Sequence, residues 1–272
     1  SAKMKNIVVT GGNKGIGYEI CRQLVGRSST RVILCARDRS RGEKAVESIK
    51  ASTKFGDDSC IFSMILDLTD EKSIEDAHNL VKESWNPIDV LVNNAAMAFK
   101  GDAFNIGVVN TTFRTNYYGT MKVCETFLPL IRKNGRIVNV SSMGGAYALR
   151  KMSASNRSKF VADDLTLDQL NSYLKEFCLC VENGDWKEKG WPTTAYSMSK
   201  VGVTMFTRIL SRENPELAIN CCCPGAVRTD MSSQSGTKSP AEGAITPVHL
   251  AVGNLHDVSG KYWSDLKIQK WF

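Results

Sequence analysis

Short β-branched runs alternate along the chain with stretches whose apolar residues recur every three or four positions. Ile7–Val9 reads as a strand, and Ile16, Ile20 and Leu24 form one stripe of the helix after it. Val32–Cys35 is a second strand, followed by a charged helix with Ala45, Val46 and Ile49 on its apolar side. Ile61–Leu66 is a third, followed by a helix built on Ile74, Ala77, Leu80 and Val81. Val90–Val92 and Ile137–Val140 are the fourth and fifth, separated by a long helical stretch through Val123, Phe127 and Leu130. Strands that are apolar almost throughout belong in a parallel sheet covered on both faces. With right-handed crossovers this predicts an α/β fold, a Rossmann-type doubly wound parallel sheet with helices on both faces.

After Ser142 the alternation breaks. Residues 145–190 are polar and partly helical, with Leu165, Leu167, Leu170, Leu174 and Phe177 at near-helical spacing. That is too long for a plain loop and too short for a domain, so it reads as a helical insertion. A helix from Tyr196 to Arg212 and a strand from Ala218 to Cys223 then resume the pattern. Repeats, linkers and low-complexity tracts are lacking, so residues 1–272 are assigned to a single domain.

Composition changes this picture little. Of 272 residues 42% are hydrophobic and 23% charged, as expected of a water-soluble globule with ample core. With no run of about 18 apolar residues, no membrane span is expected. The start of the chain lacks a signal-peptide core, so a cytoplasmic location is expected. Nine cysteines are present, but the count is odd and Cys221, Cys222 and Cys223 are contiguous in an apolar run, which suits buried thiols. There is no Cys-x-x-Cys, and His78, His249 and His256 are far apart, so no metal site is expected. The net charge of +7 is dispersed rather than blocked, which argues against nucleic acid and fits an anionic cofactor.

The first candidate chemistry lies between the first strand and the first helix. Thr10-Gly11-Gly12-Asn13-Lys14-Gly15-Ile16-Gly17 has glycines spaced for a tight turn and for close approach of backbone N–H groups to a pyrophosphate at a helix N-terminus. About 20 residues beyond the glycines, a dinucleotide fold that takes NAD places an acid on the ribose 2′-hydroxyl. Here that count reaches Arg37, whose fork geometry suits a 2′-phosphate, and Lys14 and Arg41 add charge in the same sense. Asp38 dissents and is read as the cap of the next helix. NADPH is therefore preferred over NADH.

A tyrosine can protonate the oxygen left by hydride transfer if a nearby cation lowers its pKa. Tyrosine and lysine four apart share a helix face, but the chain has three such pairs: Tyr118/Lys122, Tyr147/Lys151 and Tyr196/Lys200. Tyr118 sits inside the long helix before the fifth strand and reads as packing. Tyr196 follows Trp191-Pro192-Thr193-Thr194, which looks like a helix start, and is preferred; Tyr147, just after the fifth strand, remains a rival.

The glycine turn, Asn93-Asn94-Ala95-Ala96, Asn116 in Asn-Tyr-Tyr-Gly, Val140-Ser141-Ser142-Met143, Tyr196/Lys200 and Pro224-Gly225 together resemble the short-chain dehydrogenase/reductases, in their order. The likeness extends over essentially the whole chain. Thr10–Gly17, Ala36-Arg37-Asp38, Asn139–Ser142, Gly190-Trp191-Pro192 and Val227–Met231 resemble the monomeric, NADPH-dependent carbonyl reductases within that family. In most of the family the serine lies much closer to the tyrosine. The separation of Ser142 from Tyr196 matches the insertion-bearing branch and selects Tyr196 over Tyr147.

The resemblance implies roles residue by residue. Ser142 holds the substrate carbonyl, Tyr196 donates the proton, and Lys200 lowers the tyrosine pKa and binds the nicotinamide ribose. Asn116 holds a water that links Lys200 to the solvent. Asp67 and Leu68 meet the adenine, Asn93 the adenosine side, and Pro224, Gly225, Val227 and Thr229 the nicotinamide end. Met143, Cys223, Ala226 and Met231 line the substrate pocket. Each polar residue also has a bland role, since Ser142 can cap a turn, Asn116 satisfy a kink and Asp67 cap a helix. Two positions depart from the pattern: Ala96 replaces the usual glycine, and Ala226 stands where related carbonyl reductases often carry tryptophan.

The expected function is reduction of aldehydes, ketones or quinones. The alternatives are a dedicated biosynthetic ketone reductase for a bulky alicyclic substrate, which the missing tryptophan favours, and an NADPH sensor without turnover, which the intact acid–base set disfavours. The apolar stripe of the insertion predicts a monomer, because it would cover the helices through which relatives pair; a new dimer contact is the competing use of that stripe.

Overall fold

The computed structural model describes residues 3–272. One sheet carries β1 (Lys5–Val9), β2 (Thr30–Ala36), β3 (Cys60–Ile65), β4 (Ile88–Asn93), β5 (Ile131–Val140), β6 (Ala218–Cys223), β7 (Tyr262–Ser264) and β8 (Lys267–Gln269). The order across it is β3-β2-β1-β4-β5-β6-β7-β8, parallel up to β7, with β8 antiparallel at the edge. Helices α1 (Gly15–Val25), α2 (Arg39–Ser52), α3 (Glu71–Ser84), α4 (Ile106–Phe113), α5 (Thr120–Phe127), α6 (Met143–Lys151), α7 (Ala154–Val161), α8 (Leu167–Asn183), α9 (Ala195–Glu213), α10 (Pro240–Gly243) and α11 (Ile245–Val252) complete it.

Successive strand residues enter opposite cores, as the two-residue period requires. Val8, Ile33, Leu91, Ile137 and Ile219 pack beneath α3 to α9. Ile7, Val9, Val32, Leu34, Val90, Val92 and Val138 pack beneath α1, α2 and α11. Because β1 neighbours β4 rather than β3, the chain reverses its course across the sheet there. The carboxyl ends of β1 and β4 therefore border the crevice in which such folds bind ligands.

Three features go beyond the sequence expectation. β5 begins at Ile131, six residues early, and its pairing with β4 shifts register between Ile88 and Val90. β7 and β8 have three residues each, too short for a period to show. The long helix before β5 is interrupted by a π-helical turn, Arg114–Gly119, between α4 and α5. Gly119 lets that turn approach the β3–α3 loop, since a Cβ there would lie 2.8 Å from the Leu68 carbonyl oxygen.

Between β5 and α9 the insertion folds as α6, α7 and α8. A capping box of Thr166 and Gln169 starts α8, and Gly184 ends it in the left-handed region. Its Leu170, Leu174 and Phe177 are fully buried. Phe177 stacks on Phe113 of α4 with ring centroids 5.9 Å apart, and Leu174 reaches Gly202 of α9. The stripe thus covers this chain's own helices. No described helix is long and apolar enough to cross a membrane. All nine cysteines are free; six of the seven buried ones are in β2, α1, α5 and β6, and burial pushes the Cys124 and Cys221 thiols up to about 12.

Candidate active site

The glycine turn folds as its residues require. Gly11 and Gly15 have φ of +60° and +56°, which disfavours any side chain. At Gly17 a Cβ would lie 2.1 Å from the Gly11 carbonyl oxygen and 2.4 Å from Asn94 Nδ2. Asn94, which the sequence reading quoted in a motif without giving it a role, braces this turn. Its Nδ2 donates to the carbonyls of Thr10 (3.3 Å) and Gly11 (3.1 Å), while Thr10 Oγ1 accepts from the N–H groups of Asn94 and Ala95, both at 3.0 Å. These bonds tie the end of β4 to the turn.

Helices α2, α3, α4, α6, α7, α8 and α9 each start with a side-chain cap. The first helix is different: Lys14 stands at its N-cap and caps nothing, so its first-turn N–H groups have no side-chain acceptor. An anion fits there, drawn by those donors and by the helix dipole. Asn13 is half-buried on the turn, and Ile16 packs down onto the core beside Gly243. The loop after β6 closes over the turn, with Thr229 Cγ2 3.4 Å from where a Gly15 Cβ would lie and Asp230 3.7 Å from Lys14 Nζ. Val227 is buried in that loop and bridges to Lys238, and Gly225 turns the chain with φ of +91° after Pro224.

Arg37 is exposed at the end of β2 and lines a cleft of about 490 Å³ with Asp67. Among the described residues neither Arg37 nor Arg41 enters an ion pair, which leaves both guanidinium groups open to a phosphate. Asp38 caps α2, accepting from the Arg41 N–H at 2.8 Å. Asp67 Oδ1 accepts from the Thr69 N–H (2.9 Å) and hydroxyl (2.8 Å), which shapes the loop through Leu68. Asn93 requires a correction. Its side chain points away from the crevice into the core, where Nδ2 donates to Asn139 Oδ1 at 2.9 Å, so only its backbone is available to an adenosine. Adjacent strand residues face opposite sides, and Asn94 takes the crevice side.

At the carboxyl end of β5, Ser142 caps α6 through the Gly144 N–H (3.0 Å) and faces the Tyr196 phenol. Both the cap and the site role expected of it are thus compatible with one position. Lys200 lies one turn beyond Tyr196 on α9, only 3% exposed, with Nζ 5.6 Å from the Tyr196 ring centroid. That Nζ donates to the Val140 carbonyl at 3.0 Å. Burial pushes the Lys200 ammonium down to about 8, opposed by the cysteine thiols of β6. Burial also pushes the Tyr196 phenol up to about 12, with the Cys223 thiol adding to the rise and a hydrogen bond from Ser142 opposing it.

Asn116 sits in the π-helical turn. Its Oδ1 accepts from the Met97 N–H (2.8 Å), and its Nδ2 donates to the Met97 carbonyl (2.8 Å) and to Ser199 Oγ (3.1 Å). Both amide hydrogens are therefore spent on protein partners. A relay to solvent would have to use the backbone of the turn, and π turns recur at functional sites. Tyr147 is half exposed on α6, and Tyr118 is 38% exposed on the outer side of the turn.

A family model described as short chain dehydrogenase matches residues 5–176 and 182–240. The chain belongs to that family. It is 39% identical over 275 residues to carbonyl reductase (NADPH) 1 of Bos taurus, with 97% of each covered. It is 37% identical over 278 residues to carbonyl reductase (NADPH) 3 of Mus musculus, again with 97% of each covered. Among solved structures it is similar to salutaridine reductase from Papaver somniferum, with a TM-score of 0.85, 28% identity, and 95% and 99% of the two chains covered. Menthone neomenthol reductase from Mentha piperita gives 0.81 and 30% over 96% and 98%.

Within this short-chain dehydrogenase the expected pocket residues are placed unequally. Cys223 is buried beside Tyr196, and its Sγ accepts from the Gly225 N–H at 3.3 Å. Met143, the first residue of α6 after Ser142, is 53% exposed at the mouth. Ala226 and Met231 lie exposed on the loop after β6.

Proposed function

We propose that this chain is an NADPH-dependent carbonyl reductase, reducing aldehydes, ketones or quinones to alcohols or hydroquinones with Tyr196 as proton donor. The observation that carries the reading is the half-buried Tyr196 phenol facing Ser142, with the buried Lys200 one turn beyond it at the carboxyl end of the sheet. The carbonyl reductases to which the chain is similar over nearly its whole length support it. The residues fit the cofactor: an uncapped helix start for the pyrophosphate, two unpaired arginines for the 2′-phosphate, and a cradle at Gly15 and Gly17 that side chains would fill. When bound, NADPH supplies the hydride. Ser142 holds the carbonyl oxygen by a hydrogen bond, and Tyr196 transfers its hydroxyl proton to that oxygen. The Lys200 ammonium offsets the charge left on the phenol, and the Val140 carbonyl keeps it in place. Lys200 is kept from water, being only 3% exposed where α6 packs on α9.

A second reading, a dedicated ketone reductase for a bulky alicyclic substrate, is favoured by Ala226, which leaves room on the loop beside the site. Two structural relatives are by name reductases of salutaridine and of menthone. We further infer a cytoplasmic monomer of one domain, because α8 covers the faces of α4 and α9 that a partner would otherwise occupy. Sedimentation at micromolar concentration should give a species near 30.0 kDa, and a stable particle of twice that mass ends the inference.

Steady-state rates with quinones, aromatic aldehydes, alicyclic ketones and steroids test the function. NADPH should support turnover far better than NADH, and turnover of one alicyclic ketone alone would favour the second reading. Arg37→Asp should weaken the NADPH preference by on the order of tenfold to a hundredfold, the worth of a charge-assisted bond. Tight NADPH binding without turnover of any carbonyl would leave a sensor instead.

A further inference from the structure

We propose that Asn171, on α8 of the insertion, is a positioning residue for the active site: it holds Tyr117, and through Tyr117 the π-helical turn that carries Asn116. The proposal rests on the catalytic reading given above.

Tyr117 and Asn116 are adjacent on one turn and face different ways. Asn116 points to the site, where it grips Met97 by both backbone groups and donates to Ser199 Oγ. Ser199 Oγ in turn donates to the Tyr196 carbonyl at 2.6 Å. One side chain therefore ties the loop after β4 to the first turn of α9. Tyr117 points the opposite way and is fully buried. Its ring lies against Gly202, where a Cβ would come within 2.7 Å of Cδ2 and within 3.1 Å of Leu174. Helices α8 and α9 thus meet on that ring, two residues past Lys200.

The Tyr117 hydroxyl has one hydrogen-bond partner among the described residues, Asn171 Oδ1 at 2.6 Å. Burial keeps this phenol protonated, so it acts as a donor and requires an acceptor. Without the Asn171 acceptor the hydroxyl, still covered by α8, would be left unsatisfied. A π turn is held less firmly by its own backbone bonds than the α-helix on either side, so side-chain anchors decide where it sits. Asn116 anchors it on the side of the chemistry, and Asn171 anchors it on the side of the insertion. The insertion then does more than cover α4 and α9: it sets the position of the turn from which Met97 and Tyr196 are held.

The test uses Asn171→Leu, Tyr117→Phe, the two combined, and Asn171→Asp, which keeps an acceptor oxygen. Amide exchange at Met97, whose N–H is bonded to Asn116, is measured in the coenzyme-free protein, and kcat, KM and the pH profile of kcat in the enzyme with NADPH. Asn171→Leu should speed Met97 exchange about tenfold and lower kcat by a similar factor, the worth of one hydrogen bond, with KM for NADPH unchanged. The alkaline limb of kcat should move. Tyr117→Phe should do the same, the double variant should be no worse than either single one, and Asn171→Asp should restore both readouts. Native Met97 exchange with a native pH profile in Asn171→Leu overturns the proposal, and so do additive losses in the double variant. If Asn171→Leu does not fold, Tyr117→Phe, which removes a single oxygen, decides by the same readouts. The exchange measurement needs no turnover, so it stands even if Tyr196→Phe were to remain active and the catalytic reading were to fall.

Discussion

Helices α6 and α9 carry the same short motif in opposite surroundings. On α9 the Lys200 ammonium lies 5.6 Å from the Tyr196 ring, and on α6 the Lys151 ammonium lies 5.5 Å from the Tyr147 ring. The two helices touch, since a Cβ on Gly145 would come within 3.2 Å of the Lys200 backbone. Local geometry is therefore the same. What differs is water. Tyr147 is 50% exposed, whereas Lys200 is buried and bonded to the β5 backbone. A cation in a low-dielectric site is itself destabilised, as the fall of Lys200 to about 8 shows, and at Tyr196 burial dominates and holds the phenol up to about 12. The two motifs differ in the burial of the lysine.

The largest expected effect breaks that comparison at the phenol. Tyr196→Phe should lower kcat by about a thousandfold, the scale of a lost general acid, while NADPH binding survives. Tyr147→Phe should stay within about twofold of the native rate, because an exposed hydroxyl at the mouth transfers no proton. Rate measurements with a saturating quinone distinguish them. Equal losses, or a loss confined to Tyr147→Phe, would reverse the assignment.

The next contrast lies between the lysines. Lys200→Met should lower turnover about a hundredfold, yet make the coenzyme-free fold more stable at neutral pH. The folded pKa of Lys200 is about 8 against an ordinary 10.5, so the folded state binds the proton less well than the unfolded chain. The resulting destabilisation is fully present below about pH 8 and fades as pH rises to 10.5. Its ceiling is about 3 kcal/mol, of which the lost bond to Val140 removes about 1. Urea unfolding should therefore show Lys200→Met ahead by about 2 kcal/mol at pH 7 and no longer ahead near pH 10.5. Lys151→Met should shift stability by less than about 0.5 kcal/mol at either pH.

The same values set a pH profile. kcat/KM for NADPH reports groups of the free enzyme, so it should fall above about pH 8 as Lys200 loses its proton. Tyr196, held up to about 12, stays protonated across that range and adds no second limb. Lys151→Met should leave the limb where it is. A limb that moved with Lys151 would place the controlling cation on α6.

How much of this was legible in the sequence follows from the range of each interaction. The six longer strands of the sheet showed in their apolar runs, because most residues of a strand covered on both faces are chosen for burial. The glycine turn showed because positive φ and close backbone approach admit few residue types. The Tyr/Lys spacing occurred three times and could not discriminate, since burial is set by contacts such as Lys200 to Val140, sixty residues apart. Family resemblance, not spacing, selected Tyr196. Asn93 and Asn94 were equivalent as letters, and the alternation of β4 alone could have assigned Asn94 to the crevice. The bond from Asn171 to Tyr117 had no sequence signal, because it depends on where α8 docks.

The smallest expected effect compares how the two helices begin. Ser142 caps α6 through the Gly144 N–H at 3.0 Å, and Thr194 caps α9 through the Ser197 N–H at 3.2 Å. Replacing either by alanine should cost about 1 kcal/mol in urea unfolding, since each removes one acceptor from a helix start. Turnover should separate them. The Ser142 hydroxyl also faces Tyr196, so Ser142→Ala should lose activity well beyond its loss of stability. The Thr194 hydroxyl reaches only the helix backbone, and the first turn of α9 keeps its second tie from Ser199 to the Tyr196 carbonyl. Thr194→Ala should therefore stay within about twofold of the native rate. If it lost as much turnover as Ser142→Ala, the seating of α9 rather than the serine hydroxyl would be what the reaction depends on.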